Sequence, residues 1–132
     1  MAGSPTLHDT GAYLERVGLP APVDVSADGL ERLHRAQLFS IPFENFDIHL
    51  GRRLDLSPAG LFRKLVLNPR GGYCFEQNTL FQAVLERMGF DVTALAARVR
   101  IRGSDLCARI SVEWSHMAAR LRNVGDLCYD AG

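Results

Sequence analysis

Arg70-Gly71-Gly72-Tyr73-Cys74-Phe75-Glu76-Gln77-Asn78 places a cysteine just behind two glycines, at the first turn of an expected amphipathic helix. A thiol there meets the positive end of the helix dipole and the backbone N–H groups that a first turn leaves without intrahelical acceptors. Such surroundings lower a cysteine pKa from about 8.5 into roughly the 3.5–7.5 range, where the nucleophilic thiolate dominates. The ordinary fate of a free cysteine is to be a small buried hydrophobe. Cys74 therefore gains chemical meaning only if the chain also supplies a base and a group that orients it.

Downstream of the motif, Leu80, Phe81, Val84, Leu85 and Met88 form a continuous i, i+3/i+4 stripe, and Gly89 is a suitable residue to end the helix. The period then changes to two. Thr93, Leu95, Ala97, Val99 and Ile101 alternate with Val92, Ala94, Ala96, Arg98, Arg100 and Arg102, which predicts a strand. Gly103-Ser104-Asp105 breaks it, and Ile110, Val112 and Trp114 restart an extended segment. Upstream, Asp9-Thr10 caps a short helix bearing Tyr13, Leu14 and Val17, ended by Gly18, and Pro20-Ala21-Pro22 is a linker. Ser26 caps a second helix, with Leu30, Leu33 and Leu38 expected inward and Glu31, Arg32 and Arg35 outward, stopping before Pro42. Phe43 to Ile48 is expected to be extended or a turn. Ser57 caps and Pro58 opens a third helix with Leu61, Phe62, Leu65 and Val66 on its apolar side. Helices first and strands afterwards is the order of an α+β protein.

The last stretch has a register of its own. Asn123-Val124-Gly125 suits a three-residue hairpin loop with glycine in the left-handed position. That loop pairs Arg120 with Cys128, Ala118 with Asp130 and His116 with Gly132, and it gathers Met117, Ala119, Leu121, Leu127, Tyr129 and Ala131 on one apolar face. His116 and Asp130 then fall on the opposite face as diagonal neighbours, within reach of a carboxylate–imidazole hydrogen bond. A slip of one residue would separate them. With Cys74 they are the parts of a nucleophile–base–orienter triad.

Composition restricts the setting. A chain of 132 residues, 47% hydrophobic and 23% charged, is of a size to bury one core without disulfides. The formal net charge is zero, which gives no reason to expect nucleic acid or an anionic membrane as partner. Three cysteines without CxxC or Cys/His ligand spacing predict neither a disulfide framework nor a metal site. No apolar run reaches membrane-spanning length and the start lacks signal-peptide character, so the reducing cytoplasm is the expected compartment. Fourteen arginines against the single Lys64 are a composition associated with GC-rich bacterial genomes. Arg98, Arg100 and Arg102 read as a solvated strand edge, with contact to an anionic ligand as the sharper reading. Cys107 and Cys128 lack the helix-start placement of Cys74, and His8, His34 and His49 have no evident partner.

The nine-residue motif resembles the active-site segment of the arylamine N-acetyltransferases, as do Tyr13-Leu14-Glu15-Arg16-Val17-Gly18-Leu19 and Ile41-Pro42-Phe43-Glu44-Asn45. Ser115-His116-Met117 and Asp130-Ala131-Gly132 are similar to that family's histidine and aspartate segments, in the same order. The resemblance implies a helical domain over residues 1–90 carrying the cysteine, and over 91–132 the start of a β-barrel domain carrying His116 and Asp130. That is a cysteine-protease-like, papain-like arrangement, and the family's C-terminal lid domain lies beyond this chain. It further implies ping-pong transfer of an acetyl group from acetyl-coenzyme A through Cys74 to an arylamine, hydrazine or N-hydroxyarylamine, with no permanently bound cofactor. By the same likeness Phe43 and Val99 line the acceptor pocket, Arg70 pairs with Glu44 to hold the loop before the cysteine, and Asn78 braces it. Because family members are longer, a truncated product is expected, with self-association through an unfinished sheet. Two other classes fit the same three residues: a different Cys–His–Asp amide-processing enzyme, and a non-catalytic remnant or assembly module.

Overall fold

The computed structural model describes residues 9–20, 22–97, 116–121 and 127–129, and beyond Ala94 the backbone alone. Five α-helices precede three strands among them: α1 (Thr10–Arg16), α2 (Ala27–Ser40), α3 (Phe46–His49), α4 (Pro58–Phe62), α5 (Cys74–Met88), β1 (Val92–Ala97), β2 (His116–Leu121) and β3 (Leu127–Tyr129). No described helix is long and apolar enough to cross a membrane.

The helix starts follow the local chemistry. Asp9 Oδ1 accepts from the Ala12 N–H at 3.0 Å, Ser26 Oγ from Gly29 at 3.0 Å, and Ser57 Oγ from Gly60 at 3.1 Å. Each satisfies a donor that the first turn would otherwise leave unpaired. α2 ends at Ser40, ahead of Pro42, and α5 ends at Gly89 with φ +102°, a left-handed value that glycine adopts without a Cβ penalty. A helix of α5's fifteen residues is marginal alone in water. Leu80, Phe81, Val84 and Leu85 are buried against Tyr13, Leu30, Leu33, Leu61, Phe62 and Leu65. At roughly 1.5–3 kcal/mol for each large apolar side chain, that stripe decides α5's stability.

Three expectations need correction. Leu38 is 49% exposed, and the inward position on α2 belongs to Gln37. Gln37 is fully buried because its amide is satisfied on both sides: the Tyr13 hydroxyl donates to Oε1 at 2.7 Å, and Nε2 donates to the Gln77 carbonyl at 3.1 Å. The helix opened by Pro58 is α-helical only to Phe62 and continues as a π turn over Arg63–Leu67, closed by the Asn68 N–H on the Arg63 carbonyl at 2.8 Å. The wider turn keeps Leu65 and Val66 in the core while the Lys64 ammonium reaches carboxylates on three other segments. Finally, only the first part of the Phe43–Ile48 stretch is extended, since α3 occupies Phe46–His49.

The strands form one antiparallel sheet in the order β1-β2-β3. β1 runs from Val92↔Leu121 to Ala97↔His116, and β2 pairs with β3 through Ala119↔Tyr129, Arg120↔Cys128 and Leu121↔Leu127. The Arg120↔Cys128 pairing is the one that the hairpin pattern requires. The hairpin loop, the Arg98–Arg102 stripe, the Ile110–Trp114 segment and Cys107 lie outside the described residues. α5 packs on both β1 and β2.

Candidate active site

Cys74 is the first residue of α5, with its side chain buried at 8% exposure. Glu76, two residues on, turns one carboxylate oxygen back to accept from the Tyr73 N–H at 3.0 Å. The Asn78 amide donates to the Cys74 carbonyl at 3.0 Å, and the Gln77 amide donates to the Gly72 carbonyl at 3.0 Å. Side chains on α5 thus hold the backbone on either side of the thiol.

The segment before the cysteine is held from a second direction. Phe43 and Gly72 form a parallel bridge in which Gly72 N–H donates to the Pro42 carbonyl at 3.2 Å and Glu44 N–H to the Gly72 carbonyl at 3.1 Å. A Cβ on Gly71 would overlap the Pro42 carbonyl oxygen, so this approach of two backbones requires glycine. Phe43, itself a bridge residue, is 61% exposed.

A cluster of ion pairs fixes the same loop. Arg70 Nη2 donates to Glu44 Oε1 at 2.8 Å and to Asp47 Oδ1 at 3.0 Å. Lys64 Nζ lies 2.6 Å from Glu76 Oε1, 2.9 Å from Asp47 Oδ2 and 3.9 Å from Glu44 Oε1, while Arg52 Nη1 donates to Asp47 at 3.2 Å. Hydrogen bonds from Arg70 and Lys64 hold the Asp47 carboxyl far below the ordinary carboxylate range. Burial works against the Lys64 ammonium, but Glu76 and Asp47 outweigh it and its pKa lies above the usual lysine value. The Asp47 hydrogen bond likewise raises Arg70. Burial, and then the negative charges of Glu76 and Cys74, push the Tyr73 phenol up, with Lys64 opposing. Asp47, Lys64 and Glu76 belong to this cluster although sequence reasoning assigned them no role. Their spacing carries no periodic signal, and only the fold brings the π turn, α3 and α5 together.

His116 is the first residue of β2, paired with Ala97, on a strand that packs against α5. Asp130 and Val99 lie outside the described residues. His34, which had no evident partner, sets its ring 6.2 Å from that of Phe81. Arg16 donates from Nε to the Leu65 carbonyl at 2.9 Å and from Nη1 to the Ser40 carbonyl at 2.8 Å, locking α1 to the π turn and the end of α2.

Comparison with known proteins gives the same direction throughout. Residues 26–131 match the family profile described as N-acetyltransferase. An arylamine N-acetyltransferase of Mycolicibacterium smegmatis is 47% identical over 92 residues, 69% of this chain and 34% of the relative. The solved M. smegmatis arylamine N-acetyltransferase superposes with a TM-score of 0.84 at 38% identity, covering 94% of this chain and 46% of that one. The Mycobacterium marinum enzyme solved in complex with CoA superposes with a TM-score of 0.83 at 33% identity, again over 94% of this chain and 46% of the other. The chain thus spans about a third of such a curated relative and under half of the solved ones.

Proposed function

Because the chain belongs to the arylamine N-acetyltransferase family, we propose that it carries an acetyl group from acetyl-coenzyme A to an arylamine, hydrazine or N-hydroxyarylamine. The route is ping-pong, through a thioester on Cys74. The placement of Cys74 carries this reading: a buried thiol at the first position of a fifteen-residue helix, on a loop clamped by Arg70 and the Phe43–Gly72 bridge. Position there favours the thiolate and fixes the direction of its attack.

The chemistry assigned to the chain's own groups balances in two halves. In the first, the Cys74 thiolate attacks the donor's thioester carbonyl. The new bond to Cys74 replaces the bond to the coenzyme A sulfur, which leaves with a proton from the His116 imidazolium. In the second, the amine attacks acetyl-Cys74, His116 takes the amine proton, and the Cys74 thiolate departs. Asp130 keeps the imidazole in the required tautomer. Support for His116 comes from its position on a strand packed against α5, and for Asp130 from the Arg120↔Cys128 register. Phe43 and Val99 are assigned to the acceptor pocket; an exposed phenylalanine whose backbone is bridged to Gly72, two residues before the thiol, suits an aromatic substrate. Glu44, Arg70 and Asn78 support the loop.

Residues 1–90 form the helical domain that bears the nucleophile, and 91–132 begin the barrel domain that bears base and orienter, in a papain-like arrangement. All described helices precede Gly89 and all described strands follow it. The reducing cytoplasm suits the thiolate chemistry.

Single-turnover transfer tests the proposal. The chain is incubated with acetyl-coenzyme A, freed of donor by desalting, and given an aromatic amine. The expected result is loss of acetyl from the protein with formation of the N-acetylarylamine. If acetyl leaves as acetate at one rate with or without amine, the reading gives way to a hydrolase.

A further inference from the structure

Lys64 sits where α5, α3 and the Phe43 segment converge, and its closest partner is not Asp47 but Glu76, at 2.6 Å. The Glu76 carboxylate is fixed in the first turn of α5 by the Tyr73 N–H and is only 2% exposed, so water does little to screen it. A negative group at that place is favoured by the helix dipole. A thiolate on Cys74 draws on the same positive helix end, and the two negative charges oppose one another. We propose that Lys64 is a positioning residue for Cys74: by neutralising Glu76 it leaves the first turn of α5 free to stabilise the thiolate. The proposal rests on Cys74 being the nucleophile.

The neighbouring charges do not substitute for Lys64. Glu44, Asp47 and Glu76 face Lys64, Arg70 and Arg52, yet both arginines are ion-paired to Asp47 and Arg70 also to Glu44. Among the described residues, Lys64 is the cation that meets Glu76. Of the other elements packed on α5, α4 and β1 carry no charged residue, and α2 meets it through the neutral Gln37 at Gln77 and through His34, whose ring lies against Phe81, seven residues along α5 from Cys74. α1 brings the exposed Glu15, and Arg16 whose guanidinium bonds two carbonyls. β2 brings His116, the proposed proton partner, and Arg120. The Tyr73 phenol, raised first by burial and then by Glu76 and Cys74 and lowered by Lys64, lies in the same field.

The test is the pH dependence of Cys74 alkylation by iodoacetamide, read by peptide mass from pH 4 to 9, with circular dichroism to establish folding. The intact chain is compared with Lys64→Met, Lys64→Arg, Glu76→Gln and the double variant K64M/E76Q. In Lys64→Met the midpoint is expected to rise by about one pH unit. It should return in Lys64→Arg, which keeps the charge, and in K64M/E76Q, which removes both. A folded Lys64→Met with an unchanged midpoint overturns the proposal, and so does a double variant that stays raised. If Lys64→Met does not fold, Glu76→Gln decides: a lowered midpoint supports the proposal, and an unchanged or raised one overturns it. A wild-type midpoint at the ordinary thiol value is a different result, which removes Cys74 as nucleophile altogether.

Discussion

Asp47 shows how much of this site depends on single contacts between distant segments. Its carboxylate takes hydrogen bonds from Arg70 at 3.0 Å and Arg52 at 3.2 Å and an ion pair from Lys64 at 2.9 Å. Its pKa is depressed in the folded chain, so its contribution to stability is complete above the ordinary carboxylate value near 4 and is lost as pH falls through the folded value. Lys64 has the opposite sign: its pKa is raised, and its contribution persists until pH climbs past the usual lysine range near 10.5. Asp47→Asn is therefore expected to cost about 1–3 kcal/mol at pH 7. Urea unfolding at descending pH should show that difference shrinking below about pH 4. A difference constant with pH would mean that Asp47 acts only through shape. At this scale the sequence was legible where a rule is local: Cys74 behind two glycines, Ser26 and Ser57 as caps, Gly89 as terminator. Asp47 and Lys64 were not legible, because each is an unremarkable charge until tertiary structure brings its partners within 3 Å.

Among the elements, the loop from Pro69 to Tyr73 matters most, because it has no regular structure of its own and must still place α5's first residue. Its order comes from the Phe43–Gly72 bridge and the Arg70 pairs. Gly71→Ala forces a Cβ onto the Pro42 carbonyl oxygen and should cost about 1–3 kcal/mol in denaturant unfolding, with Cys74 alkylation slowing as the loop shifts. Gly89→Ala is a control at the other end of the same helix. With φ +102° it should cost about 1 kcal/mol through strain alone, leaving the alkylation rate of Cys74 unchanged. Equal effects of the two changes on the thiol would show that α5 responds as a unit and that the bridge has no special part. The α5 stripe was readable because its period is regular over four turns. The π turn was not, since one wide turn leaves Leu61, Phe62, Leu65 and Val66 facing inward as an α-helix does. Leu38 was misplaced because periodicity alone assigns the apolar residue inward, whereas Gln37 wins the position by satisfying both ends of its amide.

Across the whole molecule, the helices-then-strands order and the Arg120↔Cys128 register agree with what pattern and turn chemistry indicated. What no pattern announced is how many large apolar side chains stay exposed among the described residues. Phe39 is 77% exposed, and Phe43, Phe46 and Leu50 are also largely uncovered. Large apolar side chains left exposed in this number favour association. The chain is expected to sediment with a concentration-dependent mass, reduced by Phe39→Ser with Phe46→Ser; a clean monomer at high concentration would contradict this. The proposed chemistry, by contrast, depends on one atom, the Cys74 sulfur. The most direct measurement is to incubate the chain with acetyl-coenzyme A near pH 7, digest it, and locate the acetyl group by peptide mass. The expected result is acetyl on Cys74, absent from Cys107 and Cys128 and abolished in Cys74→Ala. A folded chain that takes no acetyl at Cys74, or takes it equally at all three cysteines, contradicts the assignment.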